Sequence, residues 1–160
     1  MRLNKGAFSG CSGLISVTIH DSVTSIGGNA FYGCSGLVSV AIPESVTSIG
    51  SSAFENCSRI VSMTIPSSVK IIDMQAFADC CGLTSITIPN SVTLIEQDAF
   101  FGCAGLKMVF YDGSEEQWSN MYIVDNNTYL TNATRYYFSE NEPALTAGII
   151  GIMIPTAKRR

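Results

Sequence analysis

The sequence contains one histidine, His20, which is followed directly by Asp21. An imidazole beside a carboxylate can serve as the base of a nucleophilic enzyme, and six cysteines would supply thiol nucleophiles. The two thiols nearest to this pair, Cys11 and Cys34, are expected to be buried, and no set of oxyanion donors can be recognised. We therefore predict a surface position for His20 and no catalytic residues, so the chain is not expected to be an enzyme.

Other residues that could cleave glycosides or hold metals do not form complete sites. Glu115 and Glu116 are adjacent, whereas the two carboxylates of a glycosidase flank the bond that is cut. Asp125, Asn126 and Asn127 lack the remaining ligands of a calcium loop, and the cysteines do not have zinc-site spacing. The sequence therefore predicts neither a metal site nor a cofactor.

Five of the cysteines belong to a repeat with a period of 23 residues. In each repeat an alanine precedes a phenylalanine, and a cysteine follows the phenylalanine three positions later. Such a column suits buried, reduced thiols better than disulfides, because a bridge between neighbouring coils would be strained in direction. The predicted structural ladder consists of Phe8, Phe31, Phe54, Phe77, Phe100, Cys11, Cys34, Cys57, Cys80 and Cys103.

The sixth cysteine, Cys81, stands outside this column, directly after Cys80. Serine or alanine occupies the same position in the other repeats. We expect Cys81 to be exposed and to be the most reactive thiol of the chain.

Short strands must position these columns. The repeat from Leu83 to Ile88 alternates isoleucine with serine or threonine, which directs the isoleucines inward and the hydroxyls outward. Pro89 ends the strand, because proline cannot donate to a sheet. Ser91 and its counterparts are expected to satisfy backbone groups at the bend, with a solvated turn serine as the alternative. Residues 98–102 suit one helical or 3-10 turn.

A 23-residue period with an L-x-x-I-x-I pattern is typical of leucine-rich repeats. The predicted fold class is a repeat solenoid, mainly β, with 23-residue coils, short parallel strands, short helical or 3-10 turns and a C-terminal cap. The predicted domains are a leader at 1–5, a leucine-rich repeat array of about five coils at 6–111, the first of them partial, a cap at 112–140 and a tail at 141–160.

The repeated block I-P-x-S-V-T-S-I-G-x-x-A-F-x-x-C-S-G-L-x-S-V closely resembles the BspA-like, or Treponema pallidum-type, family of leucine-rich repeats. The resemblance covers about residues 6–111. It implies an extracellular or cell-surface protein of bacteria or of some protists. It also implies adhesion to a protein or glycan on a host cell or a neighbouring cell.

The segment after Lys107 departs from the repeat and resembles the terminal unit of such arrays in clostridial gut bacteria. We predict that Trp118 replaces the isoleucine column and that Trp118, Tyr122 and Leu130 cover the last coil. Residues 133–138 are expected to add a final strand. The apolar run at 144–154 is too short to span a bilayer, so a disordered or packed tail is predicted, with membrane-surface contact as the alternative.

The N-terminal end of the array has no polar cap in the sequence. Two interpretations follow: the chain is the C-terminal fragment of a longer array, which is favoured, or a second molecule covers the open edge by self-association. Residues 1–5 have no apolar core for a signal peptide, so secretion is not expected to be encoded here.

Outward strand positions form the predicted binding face. Its small, hydroxyl-rich side chains suit contact with another polymer, although serine and threonine are also ordinary solvent-facing strand residues. A net charge of −4 without a cluster of basic residues disfavours a nucleic-acid partner. The expected function is a non-catalytic binding module, and the alternative is a passive spacer that displays another domain. The predicted binding residues are Ser16, Thr18, Ser39, Ala41, Ser62, Thr64, Ser85, Thr87, Met108 and Phe110.

Overall fold

The computed structural model describes residues 1–138, which wind into a parallel β-solenoid of about six coils. The predicted fold class, a mainly β repeat solenoid with 23-residue coils, is therefore confirmed. The elements are β1 (Arg2–Leu3), β2 (Ser16–Thr18), β3 (Ser25–Ile26), β4 (Ser39–Ala41), β5 (Ser48–Ile49), β6 (Ser62–Thr64), β7 (Ile71–Ile72), β8 (Ser85–Pro89), β9 (Leu94–Ile95), β10 (Met108–Asp112), α1 (Glu115–Ser119), β11 (Tyr122–Ile123), α2 (Thr128–Asn132) and β12 (Thr134–Tyr137).

The strands line two sides of the solenoid. On one side β2 pairs with β4, β4 lies beside β6, and a four-stranded sheet continues in the order β6, β8, β10, β12. We call the outward side of these six strands the strand face. On the other side lies a six-stranded sheet in the order β1, β3, β5, β7, β9, β11, which we call the second sheet. Every strand pair is parallel and in register, so equivalent residues of neighbouring coils stand side by side.

Columns of equivalent apolar side chains fill the interior. The phenylalanines stack along the axis with ring centroids 5.1 to 5.5 Å apart and interplanar angles of 1° to 14°. The rings from Phe31 to Phe100 are buried, whereas Phe8 in the first coil is half-buried. Burial of one such ring contributes about 2 to 3 kcal/mol, so this column is a main source of stability.

Hydroxyls at the bend hold adjacent coils together as predicted. Ser45 donates to the carbonyl of Val23 at 2.7 Å, and Ser91 donates to the carbonyl of Val69 at 2.7 Å. In the first coil, Ser22 Oγ instead lies 2.9 Å from His20 Nδ1. The serine column therefore adds side-chain hydrogen bonds between coils where a strand ends.

The third side of each coil is a series of turns. Some backbone N–H groups donate to the carbonyl three residues earlier, as Ala53 does to Gly50 at 3.1 Å. The N–H groups that alternate with them donate to a carbonyl of the next coil, as Phe54 does to Ala76 at 2.8 Å. Ser52 and Asn56, on either side of Phe54, have φ of 56° and 61°. These left-handed residues turn alternate N–H groups along the axis, so the predicted turns form but do not extend into a continuous helix.

Short strands next to both ends of the predicted array pair with strands inside it. Arg2 and Leu3, in the expected leader, form β1 and pair with β3. At the other end, Ile123 of β11 stands in register with Ile95. The isoleucine column is thus continued by Ile123, and the prediction that Trp118 replaces it was wrong, because α1 lengthens this coil before the second sheet resumes.

The last coil is closed by both helices and by β12. Ser114 caps α1 in a capping box with Gln117. Trp118 and Leu130 are buried as predicted, but Tyr122 is 69% exposed because it takes the outward position of β11. The predicted final strand forms as β12. The bounds set for the array and the cap stay predictions.

Residues 139–160, which hold the end of the predicted cap, the tail and its apolar run at 144–154, lie outside the described residues. Within residues 1–138, no helix is both long enough and apolar enough to cross a membrane.

Candidate binding face

The structure brings the ten predicted binding residues together in two rows on the strand face. Strand register places Ser62 beside Ser85, and Ser85 beside Met108. The second row runs in the same way, with Thr87 beside Phe110. Ser85, Thr87 and Phe110 are half-buried, and the other seven are exposed. None of the ten carries a charge, so the rows form a neutral surface.

An apolar margin borders this face and was missed in the sequence. Ile15, Val38 and Val61 stand just before the serine row in successive coils and are 56%, 38% and 51% exposed. The sequence does mark this margin, because the variable position of the G-L-x-S motif holds an aliphatic residue in some of the coils. Exposed aliphatic side chains beside neutral hydroxyls are suited to contact with a partner rather than to chemistry.

Aromatic side chains stand at the C-terminal end of the strand face. Tyr136 of β12 is in register with Phe110, and their rings stack with centroids 5.3 Å apart and an interplanar angle of 22°. The ring of Phe138 lies 6.4 Å from that of Phe110. We call these three residues the aromatic patch. Tyr136 and Phe138 had been predicted as part of a covering strand, because the register of β12 with β10 could not be read from the sequence.

A second layer of aromatic residues supports the patch from inside. Tyr111 is buried and meets the ring of Trp118 edge-on at 5.2 Å and that of Tyr137 at 6.3 Å. The Arg135 guanidinium lies 5.4 Å from the Trp118 ring centroid, and its Nε donates to Tyr137 Oη at 3.1 Å. Burial raises the pKa of Tyr111. These contacts fix β10 and β12, and with them the rings outside.

The residues first considered for catalysis are not assembled into a reactive site. His20 is exposed, and its Nδ1 is bonded to Ser22 through both the hydroxyl and the backbone N–H. No hydrogen bond to Asp21 is found for it in the described chain. Residues 1–138 also hold no group of three side chains suited to bind a metal ion.

The cysteine column is built into the backbone network. Cys34, Cys57, Cys80 and Cys103 are buried, and each Sγ donates to the carbonyl of the phenylalanine 26 residues earlier, at 3.1 to 3.2 Å. Cys11 is exposed, contrary to expectation. All six thiols are free, and Cys81 is exposed as expected.

Thiol labelling under native conditions is expected to modify Cys11 and Cys81 within the mixing time of a maleimide assay. The four buried thiols should react only after denaturation, because burial hinders access and raises the pKa of Cys57 and of Cys103 to about 12, which removes the reactive thiolate. Mass spectrometry of labelled peptides checks this. Rapid native labelling of Cys57 would contradict the buried column.

A shallow groove on the second sheet was also not anticipated. It encloses about 370 Å³ between β5 and β7, where Ile49 and Ile72 are the only residues in register. Lys70 and Asp73 stand at its rim, at positions that hold threonine and glycine in the second and third coils. Its walls are otherwise hydroxyls and isoleucine, and no cluster of acid, base and nucleophile converges there.

Comparison with protein families matches a model described as BspA type leucine rich repeat region to residues 2–130, in six copies. Among solved structures, the chain is similar to a leucine rich cell surface protein from Faecalibacterium prausnitzii A2-165, at 37% identity and a TM-score of 0.73, over 76% of this chain and 32% of that chain. It is also similar to the Leucine Rich Repeat protein of T. pallidum, at 34% identity and a TM-score of 0.67, over 69% of this chain and 51% of that one.

A leucine-rich repeat protein from Bacteroides ovatus ATCC 8483 is similar at 29% identity and a TM-score of 0.53, over 69% of this chain and 34% of that one. The chain thus spans between about a third and a half of the length of these three proteins. No match was found among curated proteins.

Proposed function

The chain belongs to the BspA-type leucine-rich repeat family, and on that basis we propose that it is a non-catalytic binding module of a bacterial cell surface. It binds a protein or glycan of a host cell or a neighbouring cell through the strand face. A similar structure is that of a cell surface protein, which supports the location. The repeat proteins it resembles are non-catalytic, which supports binding rather than turnover.

The observation that carries the proposal is the wide, neutral strand face. Its two rows run across five successive strands, and the aliphatic margin adds exposed apolar area along one side. Backbone groups are paired between β2 and β4 and from β6 through β8 to β10, so along these strands the outward side chains define what a partner meets. A wide, rigid surface of this kind can bind with little loss of conformational freedom.

Replacing both Thr64 and Thr87 by glutamate is expected to abolish binding of the purified chain. The probes are mucin, extracellular-matrix proteins and a glycan array, and the loss is measured on whichever of them the unmodified chain binds. The two side chains are neighbours in the middle of the face, and two carboxylates there bring charge and bulk into a neutral contact. Biolayer interferometry measures the loss, and circular dichroism checks that the variant is folded.

The matched control places glutamates at Thr47 and Thr93, which are exposed threonines beside the second sheet. This control should bind like the unmodified chain. Equal binding by the two glutamate variants would exclude the strand face as the contact surface.

A passive spacer is the second candidate function. Failure of the folded, unmodified chain to bind any mucin, matrix protein or glycan would support this function over recognition.

A further inference from the structure

We propose that the second sheet is a surface for self-association, on which a second copy of this chain binds face to face about a two-fold axis that runs along the solenoid. The contact consists of an apolar row, Ile71, Leu94 and Tyr122, and of two ion pairs between Lys70 of each copy and Asp73 of the other. The inference goes beyond the proposed function, because the strand face lies on another side of the coils and stays accessible in the dimer.

The apolar row crosses the C-terminal half of the second sheet. Strand register places Ile71 beside Leu94, and Leu94 beside Tyr122. Ile71 and Tyr122 are 47% and 69% exposed, and Leu94 between them is half-buried. The equivalent outward positions of β3 and β5 hold serines, Ser25 and Ser48. Exposed apolar side chains in a continuous row are stabilised when another sheet packs over them.

A lysine and an aspartate stand at the two ends of β7. Lys70 directly precedes the strand and Asp73 directly follows it, and both line the groove beside Ile71. Lys70 is exposed, and within residues 1–138 its ammonium has no hydrogen bond or ion pair. Asp73 accepts the Met74 N–H through Oδ1 at 2.8 Å, which leaves Oδ2 for another donor. Both charges are therefore available to a second molecule.

The placement of these charges favours a second copy as the occupant. When two such sheets face each other with their strands reversed, the start of β7 in one copy lies over the end of β7 in the other. A two-fold axis along the solenoid produces this arrangement, so Lys70 of each copy meets Asp73 of the other. The same axis places Ile71, Leu94 and Tyr122 each opposite its own counterpart, so the apolar row covers itself.

The other two-fold axis that could bring the faces together runs along the strands. It keeps the strand direction and reverses the order of the coils, so Lys70 would lie over the start of some strand in the second copy. The residues that precede the six strands are Met1, Thr24, Thr47, Lys70, Thr93 and Met121. None of them is an acid, so Lys70 and Asp73 would both lose the chance to pair. Charge therefore selects the axis along the solenoid.

The groove between β5 and β7 gives the contact its room. Two isoleucines opposite each other on flat sheets would hold the sheets apart, whereas the volume of about 370 Å³ beside Ile71 accepts the Ile71 side chain of the second copy. The groove lies where Ile49 and Ile72 are the only residues of the two strands in register. The surface thus supplies both a protruding side chain and a space that receives it, as a self-complementary interface requires.

The contact is small, because the row spans three strands that lie about 4.8 Å apart. Interfaces of small area belong to weak, transient complexes. We therefore expect a dissociation constant in the micromolar to millimolar range, so the copies separate in the dilute solutions in which binding by the strand face is measured. The glutamates at Thr47 and Thr93, beside the second sheet, consequently leave that measurement unchanged.

Sedimentation equilibrium of the full chain, over concentrations that reach the millimolar range, measures the self-association. A reducing agent prevents cross-links through the exposed Cys11 and Cys81. The variants Lys70→Asp and Asp73→Lys each place like charges at the contact. Lys107→Asp is the matched control, because it changes the net charge as Lys70→Asp does, at an exposed position beside β10. Circular dichroism checks that every variant is folded.

A monomer–dimer equilibrium is expected for the unmodified chain. Each of the two charge variants should weaken it roughly tenfold or more, because two attractive contacts become repulsive. An equimolar mixture of Lys70→Asp and Asp73→Lys should regain it, since two acids of one copy then meet two lysines of the other. Lys107→Asp should associate like the unmodified chain, and Tyr122→Ser should weaken the dimer because the apolar row loses one end.

A chain that stays monomeric at every concentration would overturn the inference. Association that Lys70→Asp, Asp73→Lys or Tyr122→Ser leaves intact would also overturn it, because the contact would then lie on another surface. A mixture of the two charge variants that does not regain association, or an equal loss in Lys107→Asp, would do the same. None of these results bears on recognition by the strand face, which the Thr64/Thr87 variant tests separately.

Discussion

Replacing Phe54 with alanine is expected to lower the free energy of unfolding by roughly 3 to 5 kcal/mol, the range found when a buried phenylalanine is truncated. Phe54 is fully buried, and its ring stacks on Phe31 at 5.1 Å and on Phe77 at 5.5 Å. Truncation leaves a cavity in the middle of the column and removes both ring contacts. In a repeat protein each coil is stabilised only by its neighbours, so the array is weakened at its centre.

Urea unfolding followed by circular dichroism measures this effect. Phe101→Ala is the matched control, because Phe101 follows the ladder residue Phe100 but is 52% exposed, and its loss should change stability by less than about 0.5 kcal/mol. The loss of stability in Phe8→Ala should lie between those of Phe54→Ala and Phe101→Ala, since Phe8 is half-buried and stacks on one ring only. Equal midpoints for Phe54→Ala and Phe101→Ala would refute the role of the column.

Replacing Asn127 with alanine is expected to cost roughly 2 to 4 kcal/mol, although its side chain is small and no repeat column includes it. Its Oδ1 accepts from the Phe100 N–H at 2.9 Å, and its Nδ2 donates to the carbonyls of Glu96 at 2.9 Å and Val124 at 2.8 Å. The residue is 3% exposed, so water cannot replace these bonds. Each buried polar group left without a partner costs about 1 to 3 kcal/mol.

The single tryptophan reports on this loss locally, because Trp118 is buried in the same last coil. Its fluorescence should show a lower urea midpoint in Asn127→Ala. Asn132→Ala, at an exposed position in α2, is the control and should leave the midpoint unchanged. Asn127→Asp keeps the acceptor for Phe100 but places a carboxylate oxygen against the carbonyls of Glu96 and Val124, so at neutral pH its midpoint should be at least as low as that of Asn127→Ala. Indistinguishable midpoints for the two alanine variants would show that Asn127 does not join these segments.

The sequence was a good guide to the interior because the interior is periodic. Stacked coils place equivalent positions in contact, so a column such as the phenylalanines identifies its own neighbours without knowledge of the chain path. The same reasoning found the hydroxyl rows and the bond of Ser91 to the previous coil. The alternation of strands then decided which side chains face out.

Features that depend on departures from the period were not predictable in the same way. The strand β12 follows β10 by 26 residues instead of 23, so the stacking of Tyr136 on Phe110 required the register itself. The segment with α1 shifted Ile123 into the isoleucine column and turned Tyr122 outward for the same reason. Asn127 was considered only as a calcium ligand, since nothing in its neighbourhood signals a bond to Phe100.

Left-handed backbone was another feature that the residue types concealed. Glycine marks some of these positions, as at Gly33, but Gln75 and Asp79 adopt φ of 56° without that signal. These residues are held in place because their N–H groups bond to the next coil. Side chains with a β-carbon accept the conformation at a modest cost that the network of bonds offsets.

The uniform register between coils also has a consequence for how the gene can change. Any interior coil contacts its two neighbours through the same columns of side chains. Loss of exactly one repeat by unequal recombination would therefore stack Phe31 on Phe77, and duplication would stack one copy of Phe54 on another. In both cases every column is preserved. Such events insert or remove whole codons and keep the reading frame. The length of the strand face is therefore open to rapid evolutionary adjustment, whereas the segment with α1, Asn127 and β12, which has its own spacing, is present once.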